Sequence, residues 1–398
     1  MSKQPVICIS NTTWFGGYTK STVQLMSLLA ASREVLFVEY PFTVKDIVTT
    51  LLNKQQAPLK KMLGIKPRLT KIKTHYNTTV HHLVMPPVLP VDFLKSDAVF
   101  EFFFQYNAQF YQKHLLKAMH DLHFKDAVVI TAYNPFYGLP MLGALKESCN
   151  IYYCYDGMGT RRHGVRIFDR DERFTKKVDT VVTSSQHIFN QKKEWNSNCF
   201  IVTNGVNYNS FKKWAKAKPH QYHRPKIGYI GSMDHRFNIE IVENAISQLP
   251  DFDFELVGSI RNDKVKNTLS PYPNVRFHPA VAPDEVPKIM ASCDAGIIPY
   301  IANDINKNIY PLKINEYLSV GVPVVMTDFA DLPEFDQFAL KTNDKNSFVH
   351  DIKQTVYDDS ADKIAQRIAF AEKNDWGSKA LQFDEIIEST IKSKGYEQ

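Results

Sequence analysis

Lys226-Ile-Gly228-Tyr-Ile230-Gly231-Ser232-Met-Asp-His-Arg236 is a short apolar run closed by a glycine and followed, from Asn238 to Gln248, by helical periodicity. A buried strand that ends on glycine and opens a helix is the unit from which parallel α/β sheets are wound. The same unit begins the chain. Val6–Ser10 leads to Gly16-Gly17 and then to an amphipathic stretch, Ser21–Ala31. Between the two units the spacing predicts strands at Val35–Glu39, His82–Met85, Ala127–Thr131, Ile151–Tyr155, Thr180–Thr183 and Phe200–Val202. Beyond the second it predicts Phe254–Val257, Val275–Phe277, Gly296–Pro299 and Val324–Met326. The polar stretch Asn204–Pro225 reads as a linker. The expected fold class is α/β, with two doubly wound, Rossmann-like parallel-sheet domains facing a cleft. Residues 1–205 form one domain and 206–375 the other. Residues 376–398 form a terminal helix that packs back toward the N-terminal domain.

Composition agrees with two globular domains. The chain has 398 residues, 44% hydrophobic and 23% charged, where a domain takes roughly 100–200 residues. The net charge of +6 is uneven: residues 1–200 carry 25 Lys+Arg against 15 Asp+Glu, residues 201–398 carry 23 against 27. A uniformly basic nucleic-acid binder is excluded as the first reading, and no nucleic-acid partner is expected. Five scattered cysteines without a Cys-x-x-Cys pair suggest buried, reduced thiols. No secretory leader or membrane-spanning run is visible, so a cytoplasmic protein is expected.

Chemistry should lie on loops after the strands. In Gly228–Arg236 glycine permits close backbone approach, a helix N-terminus attracts phosphate, and Arg236 adds a fork of donors. Asn308-Ile-Tyr-Pro311-Leu312-Lys313-Ile-Asn-Glu316-Tyr-Leu-Ser-Val-Gly321-Val-Pro323-Val-Val has Pro311 in a first helical turn, Lys313 and Glu316 on one face, and Gly321 as the stop. Its other reading is a surface lysine–glutamate ion pair.

This segment resembles the nucleotide-sugar site of the GT-B glycosyltransferases, specifically the large retaining family 4, or glycosyl transferases group 1. The resemblance rests on a proline, a lysine two residues on, a glutamate three further, then Gly-x-Pro-Val-Val. Asn204-Gly205-Val206-Asn207 with Phe211, the loop at Gly231-Ser232, and Cys293-Asp294-Ala-Gly-Ile-Ile-Pro299 match the same family in order and spacing, over about residues 150–376. Tyr155-Asp156-Gly157 and Asp179-Thr-Val-Val-Thr-Ser184 are similar to bacterial cell-surface polysaccharide transferases, teichuronic-acid enzymes among them.

The resemblance implies a GT-B fold and transfer of a sugar from a nucleotide-diphosphate sugar, UDP-linked by preference, to a saccharide or lipid-linked acceptor. No metal and no cofactor are expected. Glu316 would bind ribose; Arg236, Lys313 and main-chain N–H groups around Ser232, in the Gly231 loop, and around Leu312–Lys313 would serve the diphosphate, with Pro311 beside them in the donor site; the backbone near Ala280 and Val281 would hold the base. Asn308 stands where the family carries a glutamate facing the donor sugar, which leaves the stereochemical outcome open. Ile241 stands where a second basic residue is common.

The first domain would supply the acceptor side. Asp156 lies in a glycine-rich loop with Arg162 and His163, and could hydrogen-bond a hydroxyl or cap the turn. Trp14, Gly16 and Gly17 occupy the loop after the first strand, where Trp14 could stack on a sugar or anchor the turn. Leu51–Lys73 holds seven basic residues, no acid and interleaved apolar ones, and reads as peripheral membrane contact or as a solvated loop. Asp169-Arg-Asp171 imitates a metal motif but sits in a charged helical stretch. A GT-B nucleotide-sugar epimerase and a non-catalytic GT-B-like partner subunit are the alternatives.

Overall fold

The computed structural model describes residues 3–16, 20–158, 165–216, 219 and 224–395. The chain forms two compact units: Met1–Ser184, Ile188–Val202 and Ala380–Gln398 make the first, Ser185–His187 and Thr203–Lys379 the second.

The first unit is built on eight strands: β1 (Val6–Ser10), β2 (Val35–Val38), β3 (Leu69–Lys73), β4 (Thr79–Leu83), β5 (Val128–Ala132), β6 (Cys149–Cys154), β7 (Thr180–Thr183) and β8 (Cys199–Ile201). Their order is β3-β4-β2-β1-β5-β6-β7-β8. The central strands are mostly apolar and buried along their whole length, as helices on both sides require. β1 pairs in parallel with β2 on one side and β5 on the other, with Val6 beside both Val35 and Val128. Strand order therefore reverses at β1, and the loop Asn11–Lys20 leaves from the switch point.

Two features differ from the sequence expectation. β3 is antiparallel to β4, with Lys73 opposite Thr79. Lys71 and Lys73 project from it into solvent at period two, and lysine on an edge strand blocks further pairing. Leu51–Lys73, read from the sequence as a membrane contact or a solvated loop, comprises the end of the helix Val44–Leu51, the short helix Leu59–Met62 and this edge strand. The helix Asp97–Asp121 was also missed. Val99, Phe100, Phe102, Phe103, Phe104 and Tyr106 surround its axis, which hides the usual one-sided period.

The last helix, Trp376–Ser393, enters the first unit's core through Ala380, Phe383, Ile387 and Ile391. These positions share one helix face. Arg33, its side chain fully buried, donates to Asp384 at 2.6 Å and pairs with Glu388.

The second unit is a six-stranded, all-parallel sheet: β9 (Lys226–Ile230), β10 (Asp253–Val257), β11 (Val275–His278), β12 (Ala295–Ile298), β13 (Val324–Met326) and β14 (Ala339–Lys341). The order is β11-β10-β9-β12-β13-β14. β9 pairs with both β10 and β12, so the switch point falls between β9 and β12. The Gly231 loop and the loop that leads to the helix Leu312–Ser319 flank it. All five cysteines are buried and unpaired. Among the described residues no helix is long and apolar enough to cross a membrane.

Candidate functional site

Two glycines shape the loop after β9. Gly231 has φ +153° and Gly258, after β10, has φ +141°. A Cβ on Gly231 would collide with Cε and Nζ of Lys313, and one on Gly258 with the carbonyl of Gly231. Only glycine combines this backbone angle with this closeness. The Gly231 amide donates to the Val257 carbonyl at 2.8 Å. The Tyr229 hydroxyl donates to the Ser232 carbonyl at 2.8 Å, and the Ser232 and Ser259 hydroxyls lie 3.0 Å apart.

Two cations gather here around two tyrosines. Lys313 Nζ donates to the Tyr300 hydroxyl at 3.0 Å and lies 5.4 Å from the Tyr229 ring centre. The Arg236 guanidinium lies 5.6 Å from the Tyr300 ring centre. It is held by Asp234 at two points, Nε to Oδ1 at 3.0 Å and NH2 to Oδ2 at 2.7 Å. Burial acts to raise the Tyr300 hydroxyl pKa, but Lys313 and Arg236 more than offset it, and the net shift is downward. Tyr229 feels burial most strongly and goes well above the ordinary phenol value.

Lys313 and Glu316 are carried by the helix Leu312–Ser319. Pro311 is its cap residue, extended at ψ 113°, and not part of the first turn as expected. Its fixed φ and missing N–H suit this position too. The backbone N–H groups of Leu312 and Lys313 have no acceptor among the described residues, which is the ordinary state of a helix start and an attraction for anions. Gly321, at φ +76°, ends the helix: its N–H donates to Leu318 and that of Val322 to Tyr317.

Glu316 is half-buried. Its carboxylate has no hydrogen bond or ion pair among the described residues, so the simple Lys313–Glu316 salt bridge does not form. Burial pushes its pKa up, and Lys313 opposes this only in part.

Asn308 closes a tight turn, Asn306–Asn308, by donating its amide to the carbonyls of Asp304 at 2.9 Å and Ile305 at 3.1 Å. A glutamate could not donate these bonds. Ala280 is exposed and Val281 half-buried on the loop after β11. They sit at the same carboxyl edge of the sheet but two strands from β9.

In the first unit, the Trp14 ring meets Phe37 edge-on at 4.9 Å, and its backbone N–H donates to Glu39 at 2.9 Å. Glu39 also pairs with buried His82. Gly16 lies against Lys20, whose ammonium gathers the Thr13 carbonyl at 2.6 Å and the Phe15 carbonyl at 2.8 Å. Asp156 is exposed and accepts from the Gly157 N–H at 2.9 Å. Gly17, Arg162 and His163 lie outside the described residues. Asp171 is committed to the Tyr152 hydroxyl at 2.7 Å and to buried Lys192, and Asp169 to Arg173 at 3.2 Å. The Asp-Arg-Asp run is therefore occupied by internal partners.

The sequence reading missed Asp234, Tyr229, Tyr300 and Gly258. A signal existed for Gly258, which follows a strand just as Gly231 does. Tyr229 and Tyr300 read as ordinary core aromatics, and Asp234 as loop polarity.

Comparison with known proteins bears on this site. The family profile for "Glycosyl transferases group 1" matches residues 224–358. TuaH of Bacillus subtilis (strain 168), which carries the name of a teichuronic acid biosynthesis glycosyltransferase, is 27% identical over 214 residues, 48% of this chain. That match spans about half of its length, 54%. Among solved structures, Anabaena HepE in complex with UDP and glucose aligns over 97% of this chain and 100% of its own, with TM-score 0.65 and 12% identity. The E. coli trehalose-6-phosphate structure bound with UDP-2-fluoro glucose aligns over 98% and 99%, with TM-score 0.69 and 10% identity. A glycosyltransferase from Rickettsia africae aligns over 98% and 100%, with TM-score 0.68 and 14% identity. Identities this low speak for the fold and not for the reaction. The chain has the GT-B fold of these solved structures, and its residues 224–358 match the glycosyl transferases group 1 profile.

Proposed function

We propose that the protein is a glycosyltransferase that moves a sugar from a nucleotide-diphosphate donor, a UDP-sugar by preference, to a saccharide or lipid-linked acceptor in cell-surface polysaccharide synthesis. One observation carries the reading. Within residues 224–358, the Lys313 side chain lies against the Gly231 backbone, the N–H groups at the start of its helix are free, and one turn on is Glu316, a half-buried carboxylate without a partner among the described residues. An anionic group suits the first cluster, and a pair of hydroxyl donors suits the second.

In this reading Glu316 accepts from the ribose hydroxyls, and backbone groups near Ala280 and Val281 hold the base. Breaking the anomeric carbon–oxygen bond leaves added negative charge on the nucleoside diphosphate. Lys313, Arg236 and the N–H groups of Ser232, Leu312 and Lys313 are the donors aimed at that charge. Gly231 keeps space for the phosphates, Pro311 fixes the helix start, and Asn308 faces the donor sugar. The acceptor side falls to Asp156, Trp14, Gly16, Gly17, Arg162 and His163. Transfer proceeds with retention and without a metal, and the protein works at the inner face of the cell membrane. The UDP and UDP-sugar complexes among the structural neighbours support the donor class, and TuaH's name supports the acceptor class.

A thermal-shift screen of UDP-, GDP-, dTDP- and ADP-sugars, followed by product analysis, tests the reading. At least one sugar nucleotide should stabilise the protein and be consumed only when acceptor is present. Stabilisation without turnover on any acceptor would favour a partner subunit, and consumption without acceptor an epimerase.

A further inference from the structure

The first unit carries an apolar surface that its fold does not use. Along the helix Asp97–Asp121, Phe100, Phe104, Asn107 and Tyr111 face inward. Val99, Phe102, Phe103 and Tyr106 form a second stripe, at i, i+3, i+4 and i+7, that faces solvent. Phe102 is 72% exposed, and Phe93, just before the helix, 71%. A monomeric soluble surface scatters such residues singly, and a contiguous stripe of them marks an interaction site.

The helix Val44–Leu51 adds Val44, Val48 and Leu51, also exposed. Val44 is anchored by its N–H to the Val88 carbonyl, and Leu89 is clamped from both its N–H and its carbonyl by Asn107 of the long helix. Thr43, Leu89 and Phe100 wall one cavity, so the start of the shorter helix and the inner face of the long helix are neighbours.

Charge chooses the occupant. Lys45, Lys54, Lys60 and Lys66 are exposed and have no ion-pair partner among the described residues. The carboxylates on the same elements are engaged: Asp46 by the Thr43 N–H, Asp97 by Arg166 at 2.6 Å, Glu101 by Arg170 at 2.6 Å. Aromatic and aliphatic side chains with a surplus of unpaired lysines match the boundary between lipid headgroups and acyl chains in an anionic bilayer.

We propose that this face, formed by the outer stripe of Asp97–Asp121 and by Val44–Lys66, lies on an anionic lipid surface. Phe93, Phe102 and Phe103 enter the acyl boundary, and the lysines meet lipid phosphates. The inference deepens the membrane placement proposed above and rests on it only there, so vesicle binding and sugar transfer can fail separately. It replaces the expectation that 51–73 as a whole makes the contact, since Lys71 and Lys73 belong to an edge strand.

The test is co-sedimentation of the full chain with vesicles of equal parts phosphatidylglycerol and phosphatidylcholine. Binding should fall at least about tenfold on pure phosphatidylcholine, in Phe102→Ser/Phe103→Ser, and in Lys54→Glu/Lys60→Glu. These side chains are exposed, and unchanged circular dichroism would show that the variants fold. As an independent reading, Phe102→Trp should shift its emission to the blue on phosphatidylglycerol vesicles and be quenched by brominated acyl chains. No binding to the anionic vesicles, equal binding by the serine variant, or an unquenched tryptophan would each overturn the proposal. So would a lipid-free dimer that Phe102→Ser dissociates, because the occupant would then be a second copy of the chain.

Discussion

Asp234 grips Arg236 through both carboxylate oxygens, at 3.0 and 2.7 Å, on the turn that follows Gly231. The cation expected to meet the leaving diphosphate is therefore already partnered and already aimed. A two-point pair fixes direction as well as charge, which makes Asp234 a positioning residue for Arg236.

Asp234→Ala should lower kcat with little change in KM, and Asp234→Glu should restore part of it. Arg236→Ala should slow transfer further, by about 100-fold or more if Arg236 meets the developing charge. Steady-state kinetics on all three variants separates these outcomes. The pair also marks a pH window. Burial acts to raise the Asp234 pKa, but the Arg236 bonds outweigh it and the folded value is lowered. Stability from the pair is thus full above the unfolded carboxyl value of about 3.9 and is lost as pH falls through the folded one. Acid melts should show that component in the wild type and not in Asp234→Asn.

Glu316 has the opposite sign. Its folded pKa is raised by burial, so ionisation costs stability at neutral pH and the cost fades as pH falls through the folded value. Glu316→Gln should stabilise the free protein by about 0.5–2 kcal/mol at pH 7 and weaken sugar-nucleotide binding at least tenfold. Calorimetric melts with and without the nucleotide read both effects. Loss of stability together with unchanged binding would remove Glu316 from the site.

Gly231→Ala should act through Lys313. The new methyl group collides with that side chain at a φ that alanine resists. A loss of about 1–3 kcal/mol is expected, with transfer falling to the level of Lys313→Met. In Lys313→Met the Tyr300 hydroxyl loses its 3.0 Å partner and the largest of the influences that lower its pKa. Its phenolate absorbance should appear at higher pH than in the wild type.

Arg33→Ala leaves Lys3, which pairs with Asp384 at 2.5 Å and with Glu388 at 3.6 Å, as the remaining cation beside the two carboxylates. Leaving buried acceptors short of a charged donor costs about 1–3 kcal/mol. Chemical denaturation should show this loss in the first unit, while nucleotide-dependent stabilisation of the second unit persists.

The second unit was largely legible in the sequence. β9, β13 and the helix after Asn238 were placed within a residue, because an all-parallel sheet buries both faces and leaves uninterrupted apolar runs between glycines. The first unit was less so. β3 reads as a basic loop, since an edge strand needs only one pairing neighbour and carries lysines outward. The helix Asp97–Asp121 has two apolar faces and so lacks the periodicity that identifies helices. At the site, Lys313, Glu316 and Gly231 could be named from spacing. Asp234 and Tyr300 could not, because their roles arise from contacts made across turns. The amide bonds of Asn308 to the Asp304 and Ile305 carbonyls were equally hidden, because only the folded turn brings these groups together.

The terminal helix gives the chain an order of assembly. The first unit's core is closed by Phe383, Ile387 and Ile391, residues made after the whole second unit. During vectorial synthesis the early strands must wait, with one side uncovered, until the ribosome has released the intervening domain. The second unit, contiguous from Thr203 to Lys379 apart from three residues, faces no such delay. The half made last should therefore reach its native state first, and a chaperone binding nascent chain has its natural client in the half made earliest.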